Sequence, residues 1–136
     1  MTQEDKQLLF KDLCARLPYR TMVKCITDGN HEFDEELSVM HIMNFYQFVV
    51  KPYLRPMSSM TEEEMDEVEM IMGVEDNKSI IFDFTSDGNI IFKNGNCSVC
   101  VFKKLIDFLY SCHFDFNNLI EKGLAIEITE ENNPYK

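Results

Sequence analysis

Residues 79–93, SIIFDFTSDGNIIFK, decide the fold class, because they carry the clearest β-hairpin signal in the chain. Two short runs rich in isoleucine and phenylalanine flank Ser86-Asp87-Gly88, and small polar residues followed by glycine favour a tight turn between antiparallel strands. The pattern predicts one strand over residues 79–84 and a second over residues 89–93. We therefore expect antiparallel sheet in this chain.

Amphipathic segments on either side of the hairpin predict helices. Residues 3–16 and 98–113 repeat apolar side chains at three- and four-residue steps, which is the spacing of one helix face. A further helix begins at Thr61, where Glu64 completes a capping box, and Gly73 is placed to end it. Helices and a hairpin in this order are typical of an α+β fold.

The segment before the second of these helices predicts extended backbone, although one part of it is ambiguous. Within residues 20–50, the stretch 37–50 is apolar at both alternating sets of positions, which fits a strand buried on both faces or a helix from about Met40. We predict strands here. Residues 51–60 contain two prolines, which argue against a regular helix or a central strand, so we predict an ordered connector.

Smaller elements are predicted after the last long helix. Residues 117–122 predict one short helix, residues 125–128 a last short strand, and residues 129–136 a polar, frayed tail. The length suits one domain with one core. We predict a single α+β domain over residues 1–136, in which a small antiparallel sheet, open or partly barrel-like, packs against two longer helices and one short helix.

The composition is that of an acidic globular protein with a net charge of −11 over 136 residues. Residues 1–60 carry eight acids and seven bases, whereas residues 61–136 carry sixteen acids and six bases. A surface of this sign repels nucleic-acid backbones and anionic membranes. The N-terminus is polar, and no apolar run approaches the roughly 20 residues of a membrane helix. We expect a cytoplasmic protein that binds neither nucleic acid nor membranes directly.

Cys97-Ser98-Val99-Cys100 is a CxxC motif at the start of a predicted helix, where a lowered thiol pKa would favour redox chemistry. A thioredoxin-like site needs a βαβ unit before the motif, and residues 79–93 predict a hairpin instead. We therefore expect two ordinary thiols, with a redox pair of Cys97 and Cys100 as the alternative. The remaining cysteines and the scattered histidines form no signature, so we predict no catalytic residue, metal or cofactor.

Residues 62–76 contain eight acids and no base. Helical spacing turns Met65, Val68 and Met72 inward and leaves five acids for solvent: Glu62, Glu63, Asp66, Glu67 and Glu69. Such a run is ordinarily a solvated helix face that the helix dipole favours. The sharper hypothesis is a docking face for a basic protein partner. In the connector, Tyr53 and Arg55 are further candidates for an exposed partner contact, and Arg55 alternatively pairs with an acid of the fold.

Three phrases of the chain resemble a family of small hypothetical proteins encoded by gut bacteria and their phages or prophages. They are KDLCARLPY at 11–19, VKPYLRPMSSMTEEE at 50–64, and HFDF at 113–116 with LIEKGLA at 119–125. This chain departs from the family at Arg20, where glycine is common, at Phe108, where tryptophan is common, and at Cys112-His113, where the family has a histidine pair. The resemblance implies a phage or mobile-element setting and brings no known activity.

These observations predict a phage- or prophage-associated accessory protein that acts by protein–protein binding without catalysis. One alternative is an acidic inhibitor or DNA mimic that acts on a host nucleic-acid-binding protein. Another alternative, from a different class, is a thiol redox protein that uses Cys97 and Cys100. The oligomeric state is not indicated by the sequence.

Overall fold

The computed structural model describes residues 2–72, 81–84, 90–93 and 99–135. The chain divides into two compact units, one formed by Met1–Leu54 with Leu119–Lys136 and the other by Arg55–Asn118. Helices and a mixed sheet confirm the predicted α+β class. The prediction of a single domain stays a prediction, and the predicted turn at residues 86–88 lies outside the described residues.

The described residues form four α-helices and seven strands. The helices are α1 (Gln3–Arg16), α2 (Val39–Met43), α3 (Glu62–Met72) and α4 (Val99–Ser111), and 3₁₀ turns cover Leu17–Tyr19 and Met57–Ser59. The strands are β1 (Met22–Ile26), β2 (Glu32–Glu36), β3 (Val49–Pro56), β4 (Ile81–Phe84), β5 (Ile90–Lys93), β6 (Phe114–Asp115) and β7 (Ile126–Glu127). Three of these helices are long, instead of the two predicted.

The main sheet is mixed and open, so the expectation of an antiparallel or partly barrel-like sheet is wrong. β1 pairs antiparallel with β2 and with β3, whereas β6 and β7 both pair parallel with β3. Parallel pairing needs a long crossover connection, and the chain from β3 to β6 supplies one because it contains two helices. The predicted hairpin is confirmed as a separate antiparallel pair of β4 and β5.

β3 is a central strand, which corrects the prediction that its two prolines make this segment a connector. A proline removes one ladder donor, and both prolines fall where a ladder ends. Pro52 is the last residue of β3 to pair with β1, opposite Val23. Pro56 is the last to pair with β6, opposite Asp115. The pairing with β1 and the pairing with β6 thus each end at a proline, where the backbone has no N–H donor.

In the first unit, α2 replaces the strand that we predicted within residues 37–50, and the alternative of a helix from about Met40 is the correct one. Helical hydrogen bonds continue past α2, because Asn44 N–H donates to Met40 C=O at 3.1 Å and Phe48 N–H to Asn44 C=O at 3.1 Å. His41 and Phe45, four residues apart, are buried on the inward side. The core of this unit joins Leu9 and Leu13 of α1 to sheet residues such as Val23 and Val50, with other residues from the same unit.

The short helix predicted over residues 117–122 is wrong, because this segment forms turns. Leu124 N–H donates to Leu119 C=O at 2.9 Å, and Gly123 adopts a φ of 75°, which glycine tolerates at little cost. In the tail, the Tyr135 hydroxyl accepts from Met22 N–H at 2.8 Å and donates to Tyr53 C=O at 3.0 Å. Tyr135 therefore ties the tail to the sheet.

The second unit is built on the contact between α3 and α4. Its core combines Met57, Val68, Leu105, Leu109 and Phe114, all nearly inaccessible to solvent. The capping box predicted at the start of α3 is present, since Thr61 N–H donates to Glu64 Oε1 at 3.0 Å and Glu64 N–H to Thr61 Oγ1 at 3.2 Å. This cap positions Glu64 for the ion pair described below.

Candidate functional site

The acidic face predicted on α3 is exposed over most of its length. Val68 is fully buried, while Glu62, Glu63, Asp66 and Glu67 are exposed and Glu69 is half-buried. This arrangement suits a solvated helix face as well as a docking face. Its role in binding a partner stays a prediction.

The predicted exposed pair of the connector, Tyr53 and Arg55, is structural instead. Tyr53 is buried, and its hydroxyl donates to Asp34 Oδ1 at 2.7 Å. Burial, followed by this hydrogen bond, raises the pKa of Tyr53. The prediction of an exposed connector is wrong for Tyr53 because a central strand turns its side chains towards the fold on both faces.

Arg55 follows the second of the two alternatives and pairs with an acid of its own unit. Its Nη1 and Nη2 donate to the two carboxylate oxygens of Glu64, each at 2.7 Å, and Nη2 also donates to Ser59 C=O at 3.1 Å. The guanidinium carbon lies 4.3 Å from the centroid of the Phe114 ring. Hydrogen bonding from Arg55 lowers the pKa of Glu64 to about 2. This cluster joins β3 to α3 and leaves little of Arg55 for a partner.

The cysteines give no support for thiol chemistry in the described residues. Cys97 lies outside them, and the side chain of Cys100 is not described, so the redox alternative stays a prediction. Burial raises the pKa of Cys25 and of Cys112. A raised pKa lowers the fraction of nucleophilic thiolate at neutral pH. Within the same residues, no three His, Cys, Asp or Glu side chains are grouped to hold a metal ion.

Ser38, His41 and Glu35 form a hydrogen-bonded row at the start of α2, an arrangement that the sequence did not predict. Ser38 N–H donates to His41 Nδ1 at 2.9 Å, so the ring proton is assigned to Nε2, which lies 2.5 Å from Glu35 Oε1. Ser38 Oγ lies 3.3 Å from the same Nδ1. A serine, histidine and carboxylate in a row resembles an acyl-transfer site, in which the histidine must take the serine proton. Here the backbone N–H occupies that lone pair, so the row caps and orients α2.

The most distinctive surface of the first unit is formed by Val39, Met40, Met43 and Tyr46, which we call the α2 surface. These side chains are 61%, 62%, 72% and 71% exposed. Val39, Met43 and Tyr46 follow at steps of four and three residues, so the continued helical turns place them on one side. Large apolar side chains grouped on a surface mark an interaction site more often than single ones do.

An apolar cavity of about 180 Å³ adjoins this surface and shares Tyr46 with it. It is lined by residues 45–50 together with Lys6 and Leu9 of α1. An apolar cavity of about 150 Å³ is large enough to take a benzene ring, so this one can take an aromatic or leucine side chain of a partner.

Tyr46 packs against two other aromatic rings although it is mostly exposed. The rings of Phe10 and Tyr46 are stacked with centroids 6.4 Å apart, and Phe45 lies with its ring centroid 5.3 Å from each of them. A side chain that is already ordered loses little conformational entropy when a partner covers it. Tyr46 is therefore suited to anchor a binding partner.

Residues 37–50 contain no Asp, Glu, Lys or Arg in a chain that is 27% charged, and this was the available sequence signal for the site. The same apolar content also fits a strand buried on both faces, which is the interpretation that the sequence analysis favours. Because residues 39–43 are helical and residues 44–47 continue in turns, one side of this part is buried and the other is open to solvent.

Comparisons of the chain with protein-family models, curated proteins and solved structures found no match. No helix in residues 2–72 or 99–135 is both long enough and apolar enough to span a bilayer. The site must therefore be interpreted from its own residues.

Proposed function

We propose that this chain is an accessory protein that acts by binding another protein, without catalysis, through the α2 surface. The single observation that carries the proposal is the exposure of four large apolar side chains on one uncharged segment. The phage or prophage setting is part of the same proposal and is supported by the sequence resemblance described above.

The apolar side chains of this surface can offset much of the free-energy cost of association. Full burial of a valine, methionine or similar side chain is worth about 1.5–3 kcal/mol, so side chains about two-thirds exposed would each recover roughly 1–2 kcal/mol. Four of them supply roughly 4–8 kcal/mol, against an association cost of about 4–15 kcal/mol. The apolar contacts alone therefore offset much of that cost without giving a stable complex, and a specific partner must add a side chain in the cavity or favourable charges.

Affinity capture from the native host, read by mass spectrometry, tests the proposal. We expect the wild type to retain a set of proteins that the double variant Met40→Ser/Met43→Ser loses. Met70→Ser is the matched control, because Met70 is 76% exposed on α3 and the change is chemically the same. The proposal is wrong if the double variant retains the same proteins as the wild type. It is also wrong if the purified protein turns over a substrate and one side-chain change abolishes this without unfolding it.

A further inference from the structure

We propose that the occupant of the α2 surface is a basic amphipathic segment, in which lysines or arginines flank a row of apolar side chains. This inference rests on the proposed function and adds the chemistry of the partner. Its basis is the charge of the hairpin that leads into α2, taken together with the uncharged surface that follows.

The β1–β2 hairpin brings an excess of negative charge to the edge of the α2 surface. Residues 20–36 carry five acids, Asp28, Glu32, Asp34, Glu35 and Glu36, against two bases, Arg20 and Lys24, which gives a net charge of −3. Three of the acids are glutamates whose side chains are between 47% and 56% exposed. Glu32 pairs with Lys24 and Glu36 with Arg20, whereas the Glu35 carboxylate is hydrogen-bonded to His41 Nε2. Surface ion pairs such as those of Glu32 and Glu36 are weak and leave these two carboxylates available to a further cation.

Two of these glutamates, Glu35 and Glu36, lie close to α2. Glu35 contacts His41 of α2, and Glu36 precedes Val39 by three residues, which limits their Cα separation to about 11 Å. That separation is little more than one Debye length, which is about 8 Å at physiological salt, so salt screens the charges only in part. A cation flanking an apolar side chain seated on α2 would therefore fall within reach of β2.

The charge distribution favours this partner over a second copy of the chain. Two copies joined through the α2 surface would bring two acidic hairpins together, and each chain carries a net charge of −11. Like charges across an interface oppose association, whereas a basic segment gains from the same field. Lys6 lines the cavity, so the apolar side chain of the partner faces the cavity and its cations face β2.

Three synthetic helical peptides of about 18 residues test the partner chemistry. The first carries leucines on one face and lysines elsewhere, the second replaces its lysines by glutamates, and the third replaces its leucines by serines. Fluorescence anisotropy of labelled peptides gives each affinity at low salt and at about 300 mM salt. We expect the lysine–leucine peptide to bind at least tenfold more tightly than either of the others, and to weaken as salt rises.

Matched protein variants locate the binding on this surface. We expect Met40→Ser/Met43→Ser to weaken the lysine–leucine peptide at least tenfold, and Met70→Ser to leave it unchanged. We expect Glu32→Gln/Glu36→Gln to weaken it severalfold, while Glu62→Gln/Glu63→Gln on α3 has a smaller effect. Circular dichroism of each variant checks that the fold is retained.

Three outcomes would overturn the inference. The first is that the glutamate–leucine peptide binds as tightly as the lysine–leucine peptide. The second is that the α3 and β2 glutamine variants weaken the lysine–leucine peptide equally, which indicates charge attraction without a defined site. The third is a dimer in sedimentation that Met40→Ser/Met43→Ser dissociates, which makes a second copy the occupant. The affinity capture described under the proposed function is independent of these outcomes. Failure of the partner chemistry is therefore distinguishable from failure of the proposed function.

Discussion

Replacing Glu64 by glutamine tests the cluster that joins β3 to α3. The carboxylate receives two hydrogen bonds of 2.7 Å from Arg55 and caps α3 through Thr61 N–H. Glutamine preserves the shape and the capping interaction, since it is accepted at this position of a capping box. It removes the charge and replaces one acceptor by an amide N–H₂ that faces the guanidinium.

The expected cost of Glu64→Gln follows from that exchange. A hydrogen bond to a charged group is worth about 1.5–3 kcal/mol, and partial exposure of this pair reduces the value. The Arg55 and Glu64 side chains are 25% and 19% exposed. We therefore expect the free energy of unfolding at pH 7 to fall by about 1–2 kcal/mol. Urea unfolding followed by circular dichroism measures this difference.

The pH dependence of the same difference has a definite sign. The pKa of Glu64 is about 2 in the folded protein and about 4.3 in an unfolded chain, so the unfolded state binds more protons between these values. The stabilisation is complete above about pH 5 and is lost as pH falls towards 2. At about pH 3, the difference between wild type and Glu64→Gln should shrink to less than half of its value at pH 7.

The neighbouring exposed acid provides the control for this prediction. Glu63→Gln removes the same charge from the same helical turn and should change the free energy of unfolding by less than about 0.5 kcal/mol. The reasoning is refuted if Glu64→Gln costs no more than Glu63→Gln at pH 7. It is also refuted if the cost of Glu64→Gln is the same at pH 3 as at pH 7.

Two further predictions concern the first unit. Asp12 and Arg16 form a fully buried ion pair, with Arg16 Nε 2.6 Å from Asp12 Oδ2. Asp12→Asn leaves the arginine charge buried without its partner and should lower the free energy of unfolding by about 3–5 kcal/mol in urea titration. The apolar double variant Asp12→Leu/Arg16→Met should lower it by less than this single change. Tyr135→Phe removes the hydrogen bonds of the hydroxyl to Met22 and Tyr53 and should lower the free energy of unfolding by about 1–3 kcal/mol. It should also speed hydrogen exchange of the Met22 amide, and unchanged exchange would contradict the tail contact.

The elements that were predicted correctly are those specified by local sequence. α1, α3 and α4 each repeat apolar side chains at helical spacing, and the capping box at Thr61 marks the start of α3 within one residue. The antiparallel pairing of β4 with β5 was predicted from two apolar runs and the turn residues between them. In each case the signal lies within about fifteen residues, so no knowledge of distant contacts was needed.

The errors fall where distant contacts decide the structure. The prolines of β3 are tolerated because β1, β6 and β7 each pair with a different part of the strand, and these partners lie far away in sequence. α2 is supported by burial of Phe45 against α1, which is a distant contact, and also by a local bond from Ser38 N–H to His41. Neither is visible in an alternation pattern. A histidine acting in a helix cap also lies outside the usual capping-box residues.

The exposed residues of the α2 surface are the part of the sequence that the fold itself does not explain. Buried positions such as His41 and Phe45 account for the inward side of the segment, whereas Met40 and Met43 contribute little packing because they are mostly exposed. A lysine or glutamate at either exposed position would improve solubility at a cost to stability of less than about 0.5 kcal/mol. Elsewhere the chain places charged residues at such positions, as β2 does with four acids in five exposed residues. Apolar residues at positions where folding does not require them are the residues that the proposed protein partner would cover.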